Sequence, residues 1–256
     1  MTASNSPTSP EMRPVSNGDF CWFEVYSRDL KGSCEFYSRL FGWRTKPHEV
    51  PDYQIFHVGD ERVGGAMKIG ADWPAEVPAH WMLYAKVEST ERACERVKQT
   101  GGKVCVGPLP IPKLGTFAIL DDPVGGSLAV FAGDQDERPD GLSSFCWTEL
   151  STTDLSKAAP FYEAVLGWRA MKLPGTSIDL LTSGGRPVAS VERVTEAPRP
   201  GWMPYVQVAD AGAGCALARE LGARVDKGPV ELPAGMGRYA WLRDPQGARF
   251  GVYQAG

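Results

Sequence analysis

The chain has 256 residues, 43% of them hydrophobic, which is enough for one large domain or two ordinary ones, each with its own core. Its formal net charge of -4 comes from acidic and basic residues spread along the chain, which excludes the basic surface that binds nucleic acid or an anionic membrane. No stretch approaches the roughly 18 apolar residues that a membrane span requires.

The chain begins with a segment rich in Ser, Thr and Pro that lacks an apolar core region. We therefore predict a disordered tail over residues 1–18 and no signal peptide. The six cysteines include no CxxC pair, and without an export signal they are expected to be reduced. Together these observations predict a cytoplasmic protein.

The first predicted elements are a strand and a helix. Residues 20–27 alternate between aromatic and polar types, which predicts a strand with two distinct faces, one of them carrying Trp22 and Glu24. Asp29 has the chemistry of a helix N-cap, and the apolar residues after it recur at helical spacing up to Gly42. An amphipathic helix is therefore expected to cover the strand.

The rest of the first half is rich in predicted strands. A hairpin is expected around Gly59-Asp60, and a helix over 91–100 ends at Gly101-Gly102. Short strands follow, and the last two are joined by a turn at Asp122-Pro123. The predicted order is a strand, a helix and three strands, and this order then occurs again.

The whole pattern is duplicated. The segment FCWFE at 20–24 returns as FCWTE at 145–149, and the Asp, Phe-Tyr and Gly-Trp-Arg that follow it return at the same offset of 125 residues. A repeat of this length has the size of a domain. We predict two domains over 19–132 and 143–256, joined by a charged, turn-rich linker over 133–142.

The motifs resemble those of the vicinal oxygen chelate superfamily, which includes glyoxalase I, extradiol dioxygenases and the fosfomycin and bleomycin resistance proteins. The resemblance rests on the strand that ends before Asp29, the helix that closes on Phe36-Tyr37 and Gly42-Trp43, and the Asp-Pro-x-Gly turn before the last strand. It implies an α+β fold of two tandem domains. In each domain, two βαβββ modules would form a half-open eight-stranded barrel with the site on its concave face.

The resemblance also implies where metal ligands would lie. Metal-dependent members carry His, Gln or Glu on the first, fourth, fifth and eighth strands. On the first, fifth and eighth strands the matching residues of the two copies are Trp22 and Trp147, Met82 and Met203, and Ala129 and Gly251. The fourth-strand place is uncertain, with Glu192 near it in the second copy. Indole nitrogen has no lone pair to give, and thioethers suit soft ions. We therefore expect no metal and no cofactor.

By strand alternation, the predicted concave faces are aromatic and rich in methionine, with one carboxylate in each domain. The candidate acid–base residues are Glu24 and Glu149. The predicted ligand-binding residues are Trp22, Met82, Tyr84, Phe131, Trp147, Met203, Tyr205, Arg249 and Tyr253. Arg249 is the expected partner of Glu149. No arginine answers Glu24, which is therefore expected to be the more perturbed acid. The alternative that these side chains are plain core stays open.

Three functions follow from these residues. The first is metal-independent binding of a small aromatic or hydrophobic metabolite, as in resistance proteins. The second is an isomerase, lyase or cyclase-type enzyme in which Glu24 or Glu149 moves a proton and Tyr84 or Tyr205 donates a hydrogen bond. The third is a divalent-metal glyoxalase or dioxygenase. The expected partner is a small molecule, and a monomer or homodimer is expected because the repeat can pair its modules internally.

Overall fold

The structure, a computed structural model, describes residues 10–195 and 200–256. The first half contains β1 (Glu11–Pro14), β2 (Phe20–Ser27), α1 (Leu30–Phe41), β3 (Arg44–Pro47), β4 (Tyr53–Val58), β5 (Glu61–Lys68), β6 (His80–Lys86), α2 (Thr90–Gln99), β7 (Lys103–Ile111), β8 (Gly115–Asp121), β9 (Ser127–Gly133) and β10 (Glu137–Asp140). The second half contains β11 (Phe145–Thr152), α3 (Leu155–Leu166), β12 (Trp168–Lys172), β13 (Asp179–Ser183), β14 (Arg186–Arg193), β15 (Gly201–Gln207), α4 (Ala211–Glu220), β16 (Arg224–Glu231), β17 (Arg238–Arg243) and β18 (Arg249–Gln254).

Each half forms one eight-stranded sheet. The strand orders are β3-β4-β5-β2-β6-β9-β8-β7 and β12-β13-β14-β11-β15-β18-β17-β16. In both sheets the first strands of two βαβββ modules pair antiparallel at the centre, and each also pairs parallel with the last strand of its own module. The predicted α+β fold of two tandem domains is thereby confirmed.

The long helices begin and end where the sequence predicts. Asp29 caps α1 by accepting from the Gly32 amide, and Asp154 caps α3 in the same way. Both helices end at a glycine with a left-handed backbone, Gly42 at φ 72° and Gly167 at φ 71°, a conformation that favours glycine. Each has 12 residues. None of the described helices is long and apolar enough to cross a membrane.

The two domains share a single apolar core on the helix-bearing faces of their sheets. Two repeat-equivalent phenylalanines of the first strands exchange places across it. Phe145 of the second domain stacks on Phe23 of the first, with 4.1 Å between ring centroids. Phe20 of the first domain packs against Trp168 and Trp202 of the second, at 5.3 and 5.1 Å. Each domain therefore completes the aromatic core of the other.

Reciprocal hydrogen bonds connect the same faces. The hydroxyl of Tyr37 in α1 donates to Asp244 Oδ2 over 2.9 Å, and that of Tyr162 in α3 donates to Asp122 Oδ2 over 2.8 Å. Both aspartates belong to the Asp-Pro turns of the opposite domain, and burial raises the pKa of each. The repeated Tyr and Asp thus hold the two domains together.

The segment that precedes the first domain differs from the sequence-based prediction. Tail residues 1–9 lie outside the described chain, but Glu11–Pro14 forms β1, which pairs antiparallel with β10 inside the predicted linker 133–142. Val15 and Arg138, at 6% and 7% exposure, anchor this ribbon. Neither segment has strand periodicity alone, and each gains order by satisfying the other's backbone groups. Residues 10–18 are therefore not a disordered tail.

Candidate functional site

The candidate site lies on the face of each sheet opposite its helices, which we call the inner face. Phe23 and Val25 of β2 join the shared core, whereas Tyr26 packs in a separate cluster on the other side of the sheet. Strand alternation then places Trp22 and Glu24 on the Tyr26 side. The predicted parity of the first strand therefore holds from Trp22 to Tyr26. A register shift between Phe20 and Trp22 places Phe20 in the shared core and Cys21 in the Tyr26 cluster, against the predicted face of Cys21.

Glu24 on the first inner face is enclosed by donors. It is 8% exposed, and its carboxylate accepts hydrogen bonds from the hydroxyls of Tyr26 at 3.0 Å, Tyr84 at 2.7 Å and Tyr53. The Trp22 indole N–H donates a fourth, at 3.1 Å. Both carboxylate oxygens are therefore satisfied, and the Tyr84 proton that sequence analysis assigned to a substrate is committed to Glu24.

A glycine makes this enclosure possible. Gly65 lies beside Glu24 on the neighbouring strand β5, and a Cβ atom added at Gly65 would collide with the Tyr53 hydroxyl. Tyr53 can reach Glu24 because that atom is missing. Tyr53 was not among the predicted site residues. Its place in a predicted hairpin strand, where Tyr53 and Ile55 are two residues apart and so share one face, could have indicated it.

The remainder of the first inner face is packed with apolar side chains. The predicted ligand-binding residues of this face other than Trp22 are each at most 8% exposed and belong to one cluster: Met82, Tyr84 and Phe131. Trp73 and His80 cover the Tyr26 ring, with centroid distances of 5.7 and 5.1 Å. These side chains pack closely, so little of their surface is exposed for a ligand to contact.

Glu149 has different surroundings on the second inner face. It is 7% exposed, and its Oε2 accepts from the Tyr205 hydroxyl at 3.0 Å and from Ser190 Oγ at 3.3 Å. Ser190 itself accepts from the Trp147 indole at 3.0 Å. Oε1 of Glu149 is buried and has no hydrogen-bond partner among the described residues. The second domain therefore has a buried carboxylate with one free oxygen.

The pKa of Glu149 is raised to about 7, first by burial and then by the negative charge of Glu192. The hydrogen bond from Tyr205 and the positive charges of Arg249 and Lys227 oppose this rise. We expected the first domain to hold the more perturbed acid because no partner for Glu24 was visible in the sequence. The structure instead gives Glu24 four hydrogen-bond donors and leaves one oxygen of Glu149 unpaired among the described residues.

A cation and two aromatic rings that sequence analysis missed adjoin Glu149. Lys227 Nζ lies 4.0 Å from the ring centroid of Trp241 and 5.4 Å from that of Tyr239. The Trp241 indole donates to the Tyr205 hydroxyl at 2.7 Å, so the single proton of Tyr205 points to Glu149. Tyr205 is therefore not free to donate to a substrate, contrary to the prediction.

Three other predicted residues of the second inner face also have specific contacts. Arg249 forms no ion pair with Glu149 within 4.0 Å and instead donates a hydrogen bond to Ser151 Oγ at 3.4 Å, so the expected pairing is wrong. The Tyr253 hydroxyl donates to the Met236 carbonyl at 2.6 Å. Met203, 1% exposed, lies opposite Glu149 in the strand register.

The donor set of the inner faces does not fit a divalent metal. Within residues 10–195 and 200–256 no group of three or more His, Cys, Asp or Glu side chains could hold an ion. At the implied eighth-strand place of the second domain, Gly251 lacks a side chain, and a Cβ atom there would overlap the Tyr205 ring. A catalytic metal needs about three protein ligands, which these faces do not provide.

Comparison with known proteins agrees with this architecture. The family model of the Glyoxalase/Bleomycin resistance protein/Dioxygenase superfamily matches residues 20–131, and that of the Glyoxalase-like domain matches residues 147–253. Anthracycline biosynthesis protein DnrV of Streptomyces peucetius is 31% identical over 264 residues, which cover 95% of this chain and 95% of that protein.

Two solved structures show the same fold. The Mn(II)-bound glyoxalase of Novosphingobium aromaticivorans has a TM-score of 0.67 at 15% identity, covering 96% of this chain and 83% of that one. The 2,3-dioxygenase LapB of Pseudomonas sp. KL28 has a TM-score of 0.66 at 13% identity, covering 95% and 94%. The chain therefore belongs to the glyoxalase/bleomycin resistance protein/dioxygenase superfamily, the vicinal oxygen chelate superfamily, with one such domain in each half.

Proposed function

We propose that the second domain binds a small aromatic or hydrophobic metabolite on its inner face without a metal, and that Glu149 accepts a hydrogen bond from it. The observation that carries this proposal is the free Oε1 of Glu149. A buried acceptor without a donor costs roughly 1–3 kcal/mol. A hydroxyl or phenol on the ligand would recover that free energy.

The surrounding side chains suit a flat molecule. Trp147 and Trp241 are half-exposed, and their indole N–H groups are held by Ser190 and Tyr205, so the two rings are oriented in advance. Because Glu149 Oε1 is itself shielded from solvent, a ligand reaches it after a local movement of the side chains above it.

The first domain is not expected to bind the same ligand. Four donors already occupy the acceptor sites of the Glu24 carboxylate. No acceptor site remains for a ligand hydroxyl. Its neighbours Met82 and Phe131 are packed in a closed cluster. We therefore infer one binding site in each chain and a structural role for Glu24.

The relative from Streptomyces peucetius supports the ligand class. Its name assigns it to anthracycline biosynthesis, and anthracyclines contain flat fused rings with phenolic hydroxyls. For this chain we propose only the same broad class of ligand, an aromatic compound with a hydroxyl donor. Such a compound matches aromatic walls and a carboxylate acceptor.

A second candidate function is acid–base catalysis by Glu149 without a metal. Burial raises the pKa of Glu149 to about 7, so both protonation states are populated near neutral pH, as a general acid or base requires. An isomerase, lyase or cyclase-type step needs one such group beside the ligand. With Tyr205 committed to Glu149, the carboxyl itself would move the proton.

A panel of hydroxyanthraquinones tests the binding proposal. Binding is measured by quenching of tryptophan fluorescence and by equilibrium dialysis. We expect one saturable site in each chain. Glu149→Gln should weaken binding about tenfold or more, since a hydrogen bond to a charged group is worth about 1.5–3 kcal/mol. Glu95→Gln, at an exposed position of α2, is the matched control and should bind like the unaltered protein.

Three results would separate the candidates. Full binding by Glu149→Gln, or two equal sites, would contradict the proposed site. Retained binding with lost turnover in Glu149→Gln would favour the acid–base enzyme. Elemental analysis of protein purified without chelator gives the third result, because a stoichiometric metal would contradict the metal-free assignment.

A further inference from the structure

A buried arginine at the junction of the two domains forms no ion pair with the residues that the structure describes. Arg138 of β10 is 7% exposed. Its guanidinium donates to the Phe145 carbonyl and lies 5.7 Å from the centroid of the Phe23 ring. Its Nε has no hydrogen-bond partner among the described residues. The buried positive charge therefore lies beside an aromatic ring and a backbone carbonyl.

The two carboxylates whose charges act on Arg138 are engaged elsewhere. Asp19 accepts from Arg186 and from the Ser16 amide, and Asp140 accepts from the Gly141 amide at 3.1 Å. Within the described chain neither comes within 4.0 Å of the Arg138 nitrogens as an ion pair. The described residues thus supply no counter-charge within ion-pair distance of this guanidinium.

An unpaired buried charge is costly. Burial lowers the pKa of Arg138 to about 10, so the side chain stays protonated at neutral pH. Removing an ion from water costs several kcal/mol unless a counter-charge and hydrogen bonds compensate for it. A bound anion would provide both.

A cavity of about 60 Å³ adjoins Arg138. Two further arginines, Arg13 and Arg186, line it, against one carboxylate, Asp19. Phe20 and Val188 form part of an apolar wall. A single water needs about 10–15 Å³ of such space, so the cavity can hold a molecule of several heavy atoms.

We propose that this cavity is a binding site for a small organic carboxylate. Trp147 lines both this cavity and the inner-face site, whereas Glu149 does not line the cavity. The carboxylate would accept hydrogen bonds from the guanidinium groups of Arg138 and Arg13, which match its geometry. Its short apolar part would lie against Phe20 and Val188. The site joins the β1–β10 ribbon to both domains, so occupancy should stabilise the whole chain.

The proposal is tested with acetate as the probe. Thermal unfolding is followed by tryptophan fluorescence while sodium acetate replaces sodium chloride at constant ionic strength, and calorimetric titration measures the affinity. We expect a saturable rise in Tm and a dissociation constant on the order of millimolar. Acetamide, the neutral isostere, should have no such effect.

Arg138→Met removes the charge and keeps most of the apolar volume, so it should weaken acetate binding at least tenfold. Arg169→Met, at an exposed position away from the cavity, should bind acetate like the unaltered protein. If Arg138→Met does not fold, Arg13→Gln at the cavity edge tests the same site and should weaken binding severalfold.

The proposal is overturned if no saturable acetate effect exists, or if Arg138→Met and Arg13→Gln bind acetate as well as Arg169→Met does. It is also overturned if chloride and acetate bind equally in the titration, since that would show an adventitious ion only. Since Glu149 does not line the cavity, the effect of Glu149→Gln on hydroxyanthraquinone binding distinguishes a failure of that site from a failure of this one.

Discussion

Two glutamates at equivalent positions of the repeat have opposite surroundings, and the cause can be traced to single residues. At the offset of 125 residues, Tyr26 corresponds to Ser151 and Tyr53 corresponds to Ile178. Two of the three hydroxyls that satisfy Glu24 therefore have no long-reaching counterpart near Glu149. Both copies have the carboxylate and the tyrosine of the fifth strand, but the second copy lacks counterparts of the Tyr26 and Tyr53 phenols, which leaves one oxygen without a partner among the described residues.

The buried carboxyl of Glu149 should make stability depend on pH. Its pKa rises from 4.5 to about 7 on folding, so between these values the folded chain holds a proton that the unfolded chain has lost. Stability is therefore expected to fall as pH rises from about 4.5 to about 7, by about 3 kcal/mol in total.

Glu149→Gln should abolish this dependence. Urea unfolding at several pH values between 4.5 and 8 should show the variant more stable than the unaltered protein at pH 8, with the two converging at low pH. Glu95→Gln, which alters an exposed carboxylate on α2, controls for general charge effects. A parallel pH profile for Glu149→Gln and the unaltered protein would contradict the shifted pKa.

The hydrogen-bond donors around Glu24 should contribute to the free energy of unfolding. Tyr84→Phe removes the 2.7 Å hydrogen bond to a buried carboxylate, which should lower the free energy of unfolding by about 1.5–3 kcal/mol. The control is Tyr253→Phe, whose hydroxyl bonds to an exposed backbone carbonyl and should cost less than about 1 kcal/mol. Urea unfolding at pH 7 measures both, and equal stabilities would argue against a structural Glu24.

At the scale of elements, local signals were strong where a cap or turn fixes the backbone. The helix over 30–41 was predicted from its Asp cap and glycine stop, and the same two signals, repeated at the offset of 125 residues, mark the ends of the helix over 155–166. The edge strands β12 and β16 were not predicted. Only one residue of β12 and none of β16 is fully buried, so neither segment shows the apolar–polar alternation that marks a half-buried strand.

Partners distant in sequence explain the other misses. β1 exists because β10 pairs with it, and neither segment reveals the other by composition. Lys227 belongs to the site because a register shift next to it in β16 brings it over Trp241. Strand parity therefore identified the inner faces, but the polar contacts on them depend on sheet register, which single-sequence patterns do not specify.

At the scale of the whole molecule, we expect the two halves of the repeat to fold as one cooperative unit and not as two independent domains joined by a linker. Interfaces between domains are often polar and permit relative motion. Here buried aromatic residues of both halves form one continuous core, and the Tyr–Asp pairs add buried hydrogen bonds across it. Separating the halves would expose the apolar residues of this core to water, so the two halves are expected to unfold cooperatively.

This expectation can be tested at Phe145, which is 1% exposed and belongs to the second domain but packs on Phe23 and Trp81 of the first. Phe145→Ala should destabilise the protein by about 3–5 kcal/mol. Scanning calorimetry should still show one transition, at a lower Tm, with equal calorimetric and van't Hoff enthalpies. The exposed Leu142→Ala, at 55% exposure, should leave Tm nearly unchanged. Two resolved transitions in Phe145→Ala, with the first domain melting at its original temperature, would show that the halves are energetically independent.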